Sequence, residues 1–338
     1  PPRLDSSAAS DVYKRQESLI VGNDPSFVDV YNAVARVAPL PIPVLVRGET
    51  GTGKELIARA LHQFGSDPGQ AFVPLNCGAI PENLLESELF GHRKGSFTGA
   101  DRDHRGAIEA ARNGTLFLDE VGELPAELQF KLLRFLQSGE VRAVGTEKAL
   151  EVPVRVISAT NRDLRAEVEA GNFREDFFYR LAAYEIVLPP LRNRRSDIPL
   201  LVEHFRRRYE EKLGVVDLQA ASSEVIDVLV GHSWPGNVRE LEHVVQRAIV
   251  DSGSLDDVQT IRAILEANSS NRRDIESEPG IGDNITLKEI ERRHIEAVLR
   301  RCKGNRTRAA EILGIERKSL YRKAERLAIA LDQEEIES

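Results

Sequence analysis

Gly48-Glu49-Thr50-Gly51-Thr52-Gly53-Lys54 has the spacing G-x-x-x-x-G-K and is followed by Glu55. Glycines in such a run let successive backbone N–H groups turn into one concavity, a helix starting there adds positive potential, and the lysine ammonium supplies a charge. That combination suits the β and γ phosphates of a nucleoside triphosphate such as ATP. The flanks agree: VLVRG before it is apolar and β-branched, and ELIARALHQF after it has helical spacing. A Gly-rich turn that merely starts a helix is the plain alternative. Glu55 stands where such cradles usually place the Ser or Thr that touches Mg2+, so the metal needs another holder. TLFLDE, residues 115–120, provides one, an apolar strand that delivers Asp119 to the Mg2+ shell and Glu120 to orient and deprotonate an attacking water.

A parallel sheet must deliver those side chains. VLVRG (44–48), AFVPLN (71–76), TLFLD (115–119) and VRVISATN (154–161) are short apolar runs, and YEIVLPPL adds another. Amphipathic stretches such as ELIARALHQF and AELQFKLLRFLQSG alternate with them, which is the pattern of strands buried between helices. From Ser196 to about Leu265 the periodicity is helical throughout, in DIPLLVEHFRRRYEEKLG, SSEVIDVLVGH and NVRELEHVVQRAIV. Trp234 belongs to that core, and Pro235-Gly236-Asn237 makes the turn that starts the last of these helices. The polar, Pro- and Gly-containing stretch 268–284 reads as a flexible linker.

The 338 residues, 41% of them apolar, suffice for two or three packed units. No apolar run is long enough to span a bilayer as a helix, and a cytoplasmic location with no membrane partner is expected. Cys77 and Cys302 are too isolated for a disulfide framework and read as small buried apolar residues. The chain starts at Pro1 without a methionine and is read as a fragment, with residues 1–16 a non-native or disordered tail. Its net charge is -8, yet Thr286 to Leu327 holds 13 Lys and Arg against 6 Asp and Glu. An acidic body with a basic C-terminal module points to nucleic acid at that end only.

LFGHRKGSFTGAD, residues 89–101, places Phe97 and Thr98 between glycines in a polar stretch. An apolar side chain there offers a surface that a partner can bury, and a tight turn with Phe97 in the core is the alternative.

The GKE ending of the cradle together with Gly95-Ser96-Phe97-Thr98-Gly99-Ala100 makes the chain resemble the AAA+ ATPases, and among them the NtrC-like, sigma-54-dependent enhancer-binding activators, from about Ile20 to Leu327. The resemblance implies that Asn76 restrains Glu120 as a switch and that Thr160 and Asn161 form the first sensor. Arg174 and Arg180 in FREDFFYRL are implied to be arginine fingers that reach the nucleotide of a neighbouring subunit, although on residue type alone they are a solvated helix face. Arg239 in WPGNVREL is implied as the second sensor. Fingers acting in trans imply a ring, a homo-hexamer. GSFTGA matches the loop that such activators raise towards sigma-54, with Ser96 where members usually carry Ala. In RAVGT (142–146), Ala143 replaces the usual Arg.

The C-terminal rhythm fits three helices, with RTRAAEIL second and ERKSLYRKAERL third, and resembles a Fis-type helix-turn-helix. Ala309 and Ala310 allow close helix crossing, Gly314 makes the turn, and Ile312, Leu313, Ile315 and Leu320 read as core. Glu316 stands where a Ser, Asp or Asn cap is usual. Arg306, Arg317, Lys318, Ser319, Tyr321, Arg322 and Lys323 are the expected DNA contacts. A charged hairpin for protein contact is the alternative.

The expected fold is therefore α/β: an AAA+ P-loop parallel sheet with helices on both faces (17–192), a helical lid (193–267), the linker (268–284), an all-α helix-turn-helix domain (285–328) and a tail (329–338). The expected function is ATP hydrolysis with Mg2+ that remodels the closed promoter complex of the sigma-54 RNA polymerase holoenzyme while the protein is bound to upstream enhancer DNA. The rival reading is a DNA-binding repressor whose nucleotide only controls assembly.

Overall fold

The structure is a computed structural model and describes residues 20–96, 100–146, 148–213, 218–276, 286–302, 305–327 and 329. The tail 1–16 therefore lies outside the described residues, as does all but Ile329 of the C-terminal tail 329–338. Two compact units are present, the first ending at Leu265 and the second starting at Glu266.

In the first unit, β1 (Val44–Arg47), β2 (Phe72–Asn76), β3 (Thr115–Asp119), β6 (Arg155–Thr160) and β7 (Tyr184–Val187) form one sheet in the order β2-β3-β6-β1-β7. All its pairings are parallel, with Val44 opposite both Ile157 and Tyr184 and Asn76 opposite Asp119. Successive side chains of a strand face opposite ways, so apolar runs serve two cores at once. Leu45, Leu116, Leu118 and Val156 join one cluster, with Leu128, Leu132, Phe135, Phe177 and Leu181 from α5 (Ala126–Ser138) and α7 (Glu175–Leu181). Val44, Val46, Phe117, Ile157 and Ala159 join the other, with Val30 and Val34 of α1 (Pro25–Val37) and Ile57 and Leu61 of α2 (Lys54–Gln63). The sheet is thus covered on both faces, as the alternating pattern requires. A two-stranded ribbon of β4 (Glu140–Val141) and β5 (Leu150–Glu151) stands apart from it.

The helical part comprises α8 (Ile198–Leu213), α9 (Ser223–Gly231), α10 (Asn237–Ser252) and the first half of α11 (Val258–Glu276). Their core contains Trp234, which is fully buried and donates its indole N–H to the Leu229 carbonyl at 2.8 Å. Trp234→Ala is expected to cost about 3–5 kcal/mol through a cavity and an unpaired carbonyl, read as a lower denaturant midpoint. Ile261, Ile264 and Leu265 anchor α11 on this core, and the helix then continues through Glu276. The stretch expected as linker from 268 thus begins as helix, and 277–285 lie outside the described residues.

The second unit contains α12 (Leu287–Arg301), α13 (Arg306–Ile312) and α14 (Arg317–Arg326), packed through Ile295, Val298, Ala309, Ala310, Leu320, Ala324 and Leu327. Asn305 caps α13 by accepting the Arg308 N–H at 3.0 Å. Ile312 corrects the core expected from sequence, because it is 52% exposed at the end of α13 while Ala309 and Ala310, one turn earlier, fill the helix crossing. Leu313, Ile315 and Cys302 are partly buried against the same cluster, and Cys77 is buried in the sheet unit.

Candidate functional site

Residues 48–53 link the C-terminal end of β1 to the start of α2, where open α/β sheets bind ligands. Gly51 and Gly53 have φ of +80° and +102°, values that a side chain strains, so only glycine sits there at little cost. Gly51 is also crowded, since a Cβ would come within 2.2 Å of the Gly236 carbonyl oxygen. Gly51→Ala is expected to abolish nucleotide binding measured by calorimetry, with both terms acting on the loop itself.

Lys54 Nζ lies over the loop and donates to the Gly48 and Glu49 carbonyls at 2.8 and 3.2 Å. Burial holds its ammonium below the usual range, against the pull of Asp119 and Glu120. Burial likewise raises the Asp119 carboxyl, while the Glu120 amide that it accepts at 3.0 Å and the charge of Lys54 lower it. One cation and two carboxylates thus meet at the ends of β1 and β3. Glu120 has φ +54°, ψ +43°, a left-handed conformation that costs a non-glycine residue on the order of 1–2 kcal/mol. Its carboxylate passes Gly78, where a Cβ would meet Oε2 at 2.3 Å. Among the described residues no cluster of three or more His, Cys, Asp or Glu is placed to hold a metal. Asp119, at the end of β3 and within electrostatic reach of Lys54, is the residue that could hold Mg2+ there.

Asn76 sits opposite Asp119 in the sheet, but its Oδ1 accepts the Gly78 and Ala79 amides at 2.8 and 3.0 Å rather than touching Glu120. Thr160 is buried; its carbonyl accepts the Gly48 N–H at 3.2 Å and its hydroxyl the Arg162 N–H at 3.0 Å. Asn161 Nδ2 reaches the Thr50 hydroxyl at 3.3 Å, so both expected sensor residues lie against the loop. Arg239 is exposed at the start of α10, and its backbone N–H donates to the Gly51 carbonyl at 3.3 Å. Glu55 pairs with Arg59 at 2.7 Å, and its charge is among the causes that raise the Asp119 carboxyl.

Three residues that sequence reasoning does not assign to the site also hold the loop. Arg192 forms a two-pronged pair with Glu49 (2.6 and 2.7 Å), Asn237 Nδ2 donates to the Thr50 carbonyl at 3.0 Å, and buried Arg194 donates to the Thr52 carbonyl at 3.2 Å. The arginine cluster LRNRR was the available cue, but its partners lie more than 140 positions away.

Arg174 and Arg180 are exposed on α7 and its preceding residue, and neither touches the loop of its own chain. Arg174 grips Asp176 through two hydrogen bonds of 3.0 and 2.7 Å, and Arg180 donates to the Leu136 carbonyl at 2.9 Å.

Of the GSFTGA stretch, Phe97, Thr98 and Gly99 lie outside the described residues. Its root is built from backbone: His92 bridges His104, Arg93 N–H donates to the Val144 carbonyl at 3.0 Å, and Val144 N–H donates to the Gly91 carbonyl at 2.9 Å. Gly145 packs so near Ser96 that a Cβ would come within 2.6 Å of the Ser96 Cβ. The Ala143 loop is thereby joined to the first loop without using the side chain at 143. Ala100, expected at a partner surface, is instead 5% exposed, because it closes the root by accepting the Gly95 N–H at 2.8 Å.

On the helix-turn-helix unit, Arg317, Lys318 and Arg322 are exposed, Ser319 is half-buried, and Arg306 and Arg317 converge on the Tyr321 hydroxyl at 3.0 and 3.4 Å. Lys323 corrects the expected outward set: it is half-buried and ion-paired with Glu291 of α12, which Arg326 also holds at 2.6 Å.

Three families match the chain in series: Sigma-54 interaction domain over residues 20–187, AAA+ ATPase lid domain over 192–277, and Bacterial regulatory protein, Fis family, over 286–327. The regulatory protein AtoC of Escherichia coli (strain K12) is 43% identical over 315 residues, 92% of this chain and 68% of that protein. The transcriptional regulatory protein ZraR of Salmonella typhimurium is 44% identical over 308 residues, 91% of this chain and 68% of that protein. NtrX from Brucella abortus, solved in complex with ATP, superposes with a TM-score of 0.66 at 33% identity over 95% of this chain and 73% of that one. With its AAA+ sheet, helical lid and Fis-type helix-turn-helix, the chain belongs to the NtrC-like family of sigma-54-dependent enhancer-binding transcriptional activators.

Proposed function

We propose that the protein binds upstream enhancer DNA, assembles into a homo-hexameric ring and hydrolyses ATP to remodel the closed sigma-54 RNA polymerase complex into an open one. The observation that carries this reading is the meeting of Lys54, Asp119 and Glu120 beside a cradle covered by the lid. Lys54 and the loop amides bind the β and γ phosphates, and Glu120 orients the attacking water and takes its proton. Asp119 would hold Mg2+, which would supply positive charge against the phosphates when bound. Asn76, one strand away, has its side chain committed to the β2 turn in this structure, and its role as the restraint on Glu120 requires it to leave Gly78 and Ala79. Thr160, Asn161 and Arg239 report the state of the nucleotide to the sheet end and the lid.

Arg174 and Arg180 act on the nucleotide of a neighbouring subunit, since both are exposed away from their own loop. Mixing Arg180→Ala chains with Lys54→Ala chains is expected to restore part of the ATPase activity, because each supplies what the other lacks at mixed interfaces. No recovery at any ratio, with mixed rings shown to form, would overturn the shared site.

Phe97 and Thr98 are the output surface, displayed on the root that Gly95, Ser96 and Ala100 hold. Arg306, Arg317, Lys318, Ser319, Tyr321 and Arg322 contact DNA. Arg317→Ala and Arg322→Ala are each expected to weaken operator binding, and loss of one phosphate contact should reduce the slope of log K against log salt by about 0.9. An unchanged slope and affinity for both variants would remove α14 from the DNA interface.

A further inference from the structure

Four consecutive residues of the cradle are tied to groups on the lid side. Glu49 is held through its carboxylate by Arg192, Thr50 through its carbonyl by Asn237, Gly51 through its carbonyl by the Arg239 amide, and Thr52 through its carbonyl by Arg194. A peptide unit is planar and trans, so fixing the carbonyls of Thr50 and Thr52 also fixes the opposite direction of the N–H groups of Gly51 and Gly53. Those N–H directions are what a phosphate cradle is made of.

Asn237 is the centre of this arrangement. It is 0% exposed, and its amide is fully used: Oδ1 accepts the Leu191 N–H at 2.8 Å, while Nδ2 donates to the Thr50 carbonyl at 3.0 Å and to Glu49 Oε2 at 3.2 Å. It also holds φ +53°, an uncommon conformation for a residue other than glycine, tolerated by Asn more readily than by most. Glu49 receives Arg192 on both oxygens at 2.6 and 2.7 Å, which is the chief reason its carboxyl is held below the usual range. Arg192 follows Leu191, which is buried in the lid core.

We infer that Glu49, Arg192 and Asn237 are positioning residues, a strut through which the helical lid sets the shape of the phosphate cradle. The inference rests on the reading of residues 48–54 as a nucleotide site. Lid displacement would pull on Glu49 and Thr50 together, so cradle shape is coupled to lid position. The Glu49–Arg192 pair is about half exposed and contributes little to global stability, whereas its two-pronged geometry specifies orientation.

The test is a double-mutant cycle of Glu49→Ala and Arg192→Ala in the full chain, read by calorimetric binding of ATP and by amide hydrogen exchange of residues 48–54 without nucleotide. Charge alone would make Glu49→Ala bind ATP more tightly, because a carboxylate next to a polyanion is removed. The strut requires weaker binding, on the order of 10-fold, with faster exchange at residues 50–53 and a melting midpoint shifted by no more than about 2 °C. The double variant should be no worse than the weaker single, since both remove one coupling. Tighter or unchanged binding by Glu49→Ala, or losses that add fully, would overturn the strut. Lys54→Ala run alongside separates the two failures: if it binds ATP like the parent, the nucleotide site itself is wrong.

Discussion

Glu120→Gln is expected to bind ATP with the parent's affinity and to hydrolyse it at least about 100-fold more slowly, whereas Lys54→Ala is expected to lose binding itself. The separation follows from where the two side chains sit. Lys54 lies on the cradle carbonyls, inside the loop that meets phosphate, and its substitution removes a half-buried cation opposite two carboxylates. Glu120 stands past the end of β3 with a left-handed backbone, its carboxylate free of hydrogen-bond partners among the described residues. A glutamine there has the same shape and still directs a water, but it cannot take a proton. Phosphate release under saturating ATP, with binding measured on the same preparations, checks both halves. Equal turnover by Glu120→Gln and the parent would take Glu120 out of the chemistry.

Phe97→Ala and Thr98→Ala are expected to leave hydrolysis within about two-fold of the parent and to abolish open-complex formation. Their loop shares no segment with the cradle; its root is built on residues 91–96, 100 and 144–145 through main-chain hydrogen bonds that neither substitution touches. A partner that buries an aromatic loses most of that contact on truncation to alanine, and such anchors dominate interface energies. Phe97→Ala should accordingly fail to retain sigma-54 in the presence of a transition-state analogue. Ser96→Ala should activate normally, since the Ser96 hydroxyl is buried with no hydrogen-bond partner among the described residues and its loss removes a desolvation cost.

Legibility from sequence followed the range of the interactions. The sheet strands could be read because each is a short apolar run buried on both faces, and the cradle because its chemistry is local to seven residues. Asp119 and Glu120 followed from the strand that ends on them. Arg192, Arg194 and Asn237 were not readable as cradle residues, because nothing in their local spacing records partners brought close by the folding of the lid. Ile312 and Lys323 show the same limit at smaller scale. Helical periodicity assigns a face, yet the small Ala309–Ala310 crossing left Ile312 outside, and Glu291 from another helix captured Lys323. Ala100 reads as a contact because it ends the GSFTGA string, whereas its carbonyl closes the loop root and the residue is buried. The polar composition of 268–276 read as linker, but a helix already anchored by Ile261, Ile264 and Leu265 propagates through it at little cost.

Paired measurement of phosphate release and open-complex formation on a sigma-54 promoter asks whether hydrolysis at the cradle drives output at a separate loop. The parent is expected to do both, Glu120→Gln neither, and Thr98→Ala to hydrolyse ATP near the parent rate without opening the promoter. Promoter opening by Thr98→Ala and Phe97→Ala at the parent level would contradict it and return GSFTGA to the status of a structural turn.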